Sequence, residues 1–195
     1  MKILVFGAGV LGSLYAARLK DAGHEVTILA RGERVEQIQE HGIVLLDSSS
    51  GLETSTRIDV VDALKPEDAY DLAIILVRKS QLPEVLPLLA VNQRIPSFLF
   101  MVNNAAGPDA LVQAVGRERV LLGFPGAGGT RQGHIVEYAQ VSAKSQPTTI
   151  GELDGIPTAR LVQITAALEE AGFPVSISPN MDAWLKTHVA LVSPI

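Results

Sequence analysis

The amino-acid sequence predicts an α/β fold, a doubly wound and mostly parallel sheet with helices on both faces. Three observations carry that prediction. Apolar runs of strand length recur at residues 2–6, 72–77 and 97–102, as expected of parallel strands buried on both faces. Helical patterns alternate with them at residues 10–22, 82–90 and 109–115, the order that gives a parallel sheet. The first run enters Gly7-Ala8-Gly9-Val10-Leu11-Gly12, and a helical pattern follows at once. Gly7 allows the tight turn out of the strand, Gly9 lets a pyrophosphate approach the backbone, and Gly12 lets helix and strand pack closely. This is the turn of a Rossmann-type dinucleotide-binding unit, with the pyrophosphate resting on the unpaired N–H groups of the helix N-terminus.

The bulk composition narrows the class. The 195 residues are 47% hydrophobic and 19% charged, enough for one domain with a sizeable core, or a domain plus a fragment. The net charge of −5 leaves no global basic field to hold nucleic acid or an anionic membrane. There is no cysteine, so disulfides, thiol nucleophiles and cysteine-ligated zinc are excluded, and no metal site is expected. No apolar run approaches the ~20 residues that span a bilayer, and no leader is visible before the first strand. A soluble cytoplasmic protein is expected.

In chain order, the first helix has Leu11, Leu14, Tyr15 and Leu19 on its apolar face and Gly23 as its stop. The second strand, residues 24–30, ends where the adenosine ribose of a dinucleotide lies. An NAD-binding chain commonly carries Asp or Glu there, about 20 residues past the motif. Here Ala30 is followed by Arg31, 19 positions beyond Gly12. A guanidinium grips a 2′-phosphate that a carboxylate would repel, so NADP(H) is the expected cofactor. Arg34, one helical turn on, could add a second charge. A helix over 33–41, a strand over 42–46, a serine turn and a second strand over 54–61 follow, the two strands expected to pair as a hairpin.

The strand at 72–77 ends in Arg78, Lys79 and Gln81, at the edge that faces the ligand crevice in an open sheet. A cation there contacts a phosphate or substrate carboxylate, or is simply solvated. The strand at 97–102 ends in Asn103-Asn104-Ala105-Ala106-Gly107. Those amides either hold a polar ligand or cap the helix at 109–115. After a strand at 119–123, residues 123–129 are rich in glycine, but the period-two pattern of 134–141 supplies no helix N-terminus behind them. They are expected to form a structural loop, with residues 148–152 pairing with the strand at 134–141. An amphipathic helix over 157–171, a strand over 174–177 and a helix over 181–192 complete the chain. That last helix finds nothing visible to pack against. The expected organisation is a dinucleotide-binding domain over residues 1–178 and, over 179–195, the start of a truncated helical substrate domain.

Together these features resemble the ketopantoate reductase family, the NADPH-dependent 2-dehydropantoate 2-reductases of pantothenate synthesis. The resemblance rests on Gly7-Ala8-Gly9-Val10-Leu11-Gly12, on Ala22-Gly23-His24-Glu25-Val26-Thr27 leading into the second strand, on Arg31, on Arg78-Lys79 with Gln81, on Asn104-Ala105-Ala106-Gly107, and on Trp184-Leu185-Lys186. It implies that Lys186 is the general acid that protonates the carbonyl oxygen of a 2-oxo acid. It implies that Asn104 holds the nicotinamide side or the substrate, and that Arg78, or less readily Lys79, stands near the cofactor. Two positions depart from the family: Ala190 replaces an asparagine one turn beyond the lysine, and Ala105 replaces a glycine. His188 is a candidate substitute polar group. A small 2-oxo acid is the implied partner, with homodimerisation open. Two other readings stay open: a non-catalytic NADP(H)-binding sensor, and a dehydrogenase of another 2-oxo acid or an opine. By itself, this stretch is expected to bind cofactor with little or no turnover.

Overall fold

The computed structural model describes residues 1–140 and 146–192. The chain begins with β1 (Lys2–Phe6), α1 (Val10–Asp21), β2 (Glu25–Leu29), α2 (Glu33–His41), β3 (Ile43–Asp47), β4 (Glu53–Thr56) and β5 (Asp59–Val61). There follow β6 (Leu72–Ile75), α3 (Leu82–Ala90), β7 (Phe98–Phe100), α4 (Asp109–Val115) and β8 (Val120–Phe124). The remainder comprises β9 (Ala127–Gln132), β10 (Ile135–Gln140), β11 (Thr148–Glu152), α5 (Ala159–Glu170), β12 (Val175–Ile177) and α6 (Met181–Val192).

Eight strands form the main sheet in the order β12-β11-β8-β7-β6-β1-β2-β5. Every neighbouring pair is parallel except β11 against β8. The strand alternation feeds two cores. On one face Ile3 and Val5 pack with Leu14 and Tyr15 of α1 and Leu161 and Leu168 of α5. On the other, Leu4 and Phe6 pack with Leu82 and Leu89 of α3, Leu111 of α4 and Leu185 of α6. From β1 the order runs to β2 on one side and to β6 on the other, so the crevice opens at the carboxyl ends of β1 and β6.

A second sheet, β4-β3-β10-β9, corrects several expectations. Residues 54–61 are not one hairpin strand: β4 pairs with β3, whereas β5 crosses to the main sheet beside β2. Residues 148–152 do not pair with β10; β11 lies between β8 and β12, and β10 pairs with β3 and β9. Gly128 and Gly129 sit in β9 rather than in a loop. A Cβ on Gly129 would lie 2.2 Å from the Glu137 carbonyl oxygen, so the close approach of β9 and β10 is what requires glycine there. The second sheet also covers the outer side of α1. That helix is therefore buried almost all round, including Ser13, Ala16 and Ala17, rather than along one stripe. Residue 141, expected in the β10 strand, lies outside the described residues.

The last helix does have a partner. Met181 and Leu185 are buried in the second core, and Trp184 and His188 pack on Phe124 at the end of β8. Among the described residues no helix is long and apolar enough to cross a membrane.

Candidate cofactor and substrate site

The glycine loop has the geometry that its three roles require. Gly7 adopts φ +110, and a Cβ there would lie 2.5 Å from the Leu76 carbonyl oxygen, so both its conformation and its space exclude a side chain. A Cβ on Gly12 would lie 1.7 Å from the Gly7 carbonyl oxygen; α1 can approach β1 only because that atom is absent. A Cβ on Gly9 would meet nothing within 4 Å. The space over Gly9 is open, as a pyrophosphate approaching the backbone needs. Gly9 is the N-cap of α1 with no side-chain cap, so the first N–H groups of the helix face that space.

Gly7 to Gly12 line a cleft of about 490 Å³ together with Leu76, Val77, Arg78, Gln81 and Met101. Arg78 follows β6 and is exposed. Its backbone N–H donates to Gln81 Oε1 at 2.9 Å, and the Gln81 N–H donates to the Arg78 carbonyl. The reciprocal pair fixes the turn that carries the guanidinium, while Lys79 points into solvent beside it. After β2, Ala30 is buried and Arg31 is exposed. Neither Arg31, Asn104 nor Lys186 lines the 490 Å³ cleft. A larger cavity of about 770 Å³ lies at the opposite edge, against Met1, His24, Asp71 and Ser97 at the amino ends of the strands.

Arg34 departs from its expected place. It is buried, and donates to the Ala8 carbonyl, Ser13 Oγ, Gln37 Oε1 and the His134 carbonyl. It packs on the loop through the Ala8 carbonyl, whereas Arg31 is exposed after β2. Asn104 is also buried, and both ends of its amide are engaged: Nδ2 donates to the Gly107 carbonyl at 2.9 Å, and Oδ1 accepts the Ala106 N–H at 3.1 Å. Its side chain holds the turn in shape, and Asn103 is the exposed amide.

Lys186 lies on α6 with its side chain about half exposed, 52%. Nζ donates to Asp182 Oδ2 at 2.5 Å, an i,i+4 pair. The other carboxylate oxygen, Asp182 Oδ1, is buried without a partner among the described residues, and it lies 3.8 Å from the Cβ position of Gly107. Asp182 thus sets the lysine's face of α6 against the Asn104–Gly107 turn. Sequence reasoning missed this aspartate, although the four-residue spacing to Lys186 was a usable signal. His188 is elsewhere: two residues turn a helix by about 200°, so it sits on the opposite side from Lys186. Its ring stacks on Trp184 at 4.9 Å and packs on Phe124 at 4.1 Å. Burial pushes its pKa below the ordinary histidine value. It does not stand in for the absent asparagine, and Ala190 is exposed.

The family model described as ketopantoate reductase PanE/ApbA matches residues 3–155. The chain belongs to the ketopantoate reductase family. A 2-dehydropantoate 2-reductase of Archaeoglobus fulgidus is 28% identical over 199 residues, which cover 100% of this chain and 63% of that protein. Among solved structures, the 2-dehydropantoate 2-reductase of Geobacter metallireducens superposes with TM-score 0.82 at 20% identity, covering 95% of this chain and 60% of that one. A D-mandelate dehydrogenase solved with NADH and anilino(oxo)acetate gives TM-score 0.75 at 24% identity, covering 91% and 57%. Those two likenesses establish the fold. The chain spans between 38% and 63% of the length of four curated 2-dehydropantoate 2-reductases it matches.

Proposed function

We propose that the protein acts as an NADP(H)-dependent reductase of a 2-oxo acid, with 2-dehydropantoate as the leading substrate and α6 opening its substrate-binding part. The observation that carries this reading is the glycine loop: Gly9 leaves open space over the N-terminus of α1, while Gly7 and Gly12 tolerate no side chain. The residues fit a dinucleotide. Backbone N–H groups at the start of α1 would hold the pyrophosphate, Arg31 the 2′-phosphate, and Arg78 a phosphate or the substrate carboxylate.

When bound, the nicotinamide supplies hydride to the carbonyl carbon. The chain's own contribution is to stabilise and protonate the oxygen that becomes negative. Lys186 can do both, as an ammonium that neutralises the charge and as the donor of the proton, an effect typically worth about 10²–10⁴-fold. Asp182 holds that ammonium on the face of α6 turned toward the Asn104–Gly107 turn. Asn104 shapes the turn through its own backbone contacts. Ala190 offers no polar group to the substrate, which favours a second reading in which a different 2-oxo acid is reduced.

The test is an assay of the complete gene product with NADPH and 2-dehydropantoate, beside a panel of other 2-oxo acids. Lys186→Ala is expected to lower kcat by about 10²–10⁴-fold while NADPH affinity and thermal stability stay unchanged. An unaltered kcat removes Lys186 from the chemistry, and turnover of none of the acids favours a binding role instead.

A further inference from the structure

Arg34 raises an electrostatic problem that the described residues do not solve. It lies in the first turn of α2 and is only 7% exposed. All four of its hydrogen-bond acceptors are neutral: the Ala8 carbonyl at 3.3 Å, Ser13 Oγ at 3.0 Å, Gln37 Oε1 at 3.3 Å and the His134 carbonyl at 3.2 Å. Among the described residues it forms no ion pair with a carboxylate. The charge that acts on it is another cation, Arg131, whose Nη1 shares Gln37 Oε1 at 3.2 Å. Burial first, and Arg131 second, lower the Arg34 pKa to about 10. Desolvating an ion without a counter-charge costs several kcal/mol, so buried guanidiniums are normally paired.

The position of this charge suggests what balances it. Arg34 Nε holds the carbonyl of Ala8, inside the loop whose N–H groups face the cleft. The guanidinium has five N–H donors. Among the described residues four are used, and Nη2 keeps one. We propose that a phosphate of the bound dinucleotide is the counter-charge of Arg34, which makes this buried arginine a fixed cationic part of the phosphate site as well as a brace for the loop. The proposal rests on the dinucleotide reading above. It ties the second sheet to cofactor binding, because His134, which precedes β10, helps hold the same guanidinium. The pyrophosphate and the 2′-phosphate share the required chemistry.

Calorimetric titration of NADP⁺ and NAD⁺ into wild type, Arg34→Lys and Arg34→Gln separates charge from bracing, with thermal unfolding of each apo protein alongside. Both substitutions lower the apo Tm, because each abandons hydrogen bonds. Arg34→Gln is expected to weaken NADP⁺ binding about tenfold or more, and Arg34→Lys, which keeps the charge, by no more than about threefold. Equal losses for NADP⁺ and NAD⁺ assign the charge to the pyrophosphate, and a loss confined to NADP⁺ assigns it to the 2′-phosphate. Equal weakening by Lys and Gln, or wild-type affinity in Arg34→Gln, overturns the proposal. If Arg34→Gln does not fold, Arg34→Lys decides: affinity within about threefold of wild type supports the charge, and a loss of about tenfold overturns it. If wild type takes up neither dinucleotide, the dinucleotide reading itself falls and this proposal with it.

Discussion

The two ends of the carboxyl edge are held by different means. At the glycine loop, backbone packs on backbone, Gly7 against Leu76 and Gly12 against Gly7, and the Arg34 guanidinium holds the Ala8 carbonyl. At α6, Lys186 is half exposed and its ammonium is held by one carboxylate, Asp182. A phosphate bound by N–H groups needs a rigid backbone shape, and that shape demands glycine at fixed positions. A general acid needs only one mobile side chain within reach. The first requirement leaves a mark in the sequence and the second leaves almost none.

The largest effect expected from breaking this contrast is at Gly12. Gly12→Val places carbon atoms where the Gly7 carbonyl stands, so β1 and α1 cannot pack and the cooperative unfolding transition is expected to disappear in circular dichroism. A Tm within a few degrees of wild type would contradict the packing account. Gly9→Val separates binding from folding, because the space over Gly9 is open. Apo Tm should change little, while NADPH affinity falls about 10- to 100-fold as the side chain occupies the phosphate approach. Parallel losses of Tm and affinity would mean that Gly9 serves the fold.

The smallest effect concerns the other end. His188 is packed between Trp184 and Phe124, and burial lowers its pKa from the usual 6.5. The unfolded chain therefore binds more protons below that value. The stability contributed by neutral His188 is fully present above pH 6.5 and is lost as pH falls through the lower folded value. Its exposure limits the effect to below about 1 kcal/mol. His188→Phe should flatten this part of the pH–stability curve measured by denaturant unfolding, and an unchanged slope would assign it to other groups.

Much of the main sheet was legible because its signals are local. The run into Gly7 and the stop at Gly23 are both set by residues a few positions apart. The second sheet was legible only at its β3–β4 hairpin. Its β3–β10 pairing joins Val44 to Ile135, and period-two alternation at 54–61 or 134–141 does not say which partner strand wins. Arg34 was legible as a second cation but not as a buried one, for the same reason. Its spacing from Arg31 marked the charge, whereas its partner His134 lies 100 residues on. At α6 the sequence marked Lys186 only by resemblance. The role of Asp182 depends on contact with the Gly107 turn, a long-range meeting that no local pattern encodes.

In the function proposed above, this edge holds a dinucleotide that carries a 2′-phosphate. Fluorescence titration of NADPH and NADH into wild type and Arg31→Ala tests it most directly. Wild type should prefer NADPH by about tenfold or more, and Arg31→Ala should bring the two affinities together chiefly by weakening NADPH. Equal binding of NADH and NADPH by wild type would contradict the account.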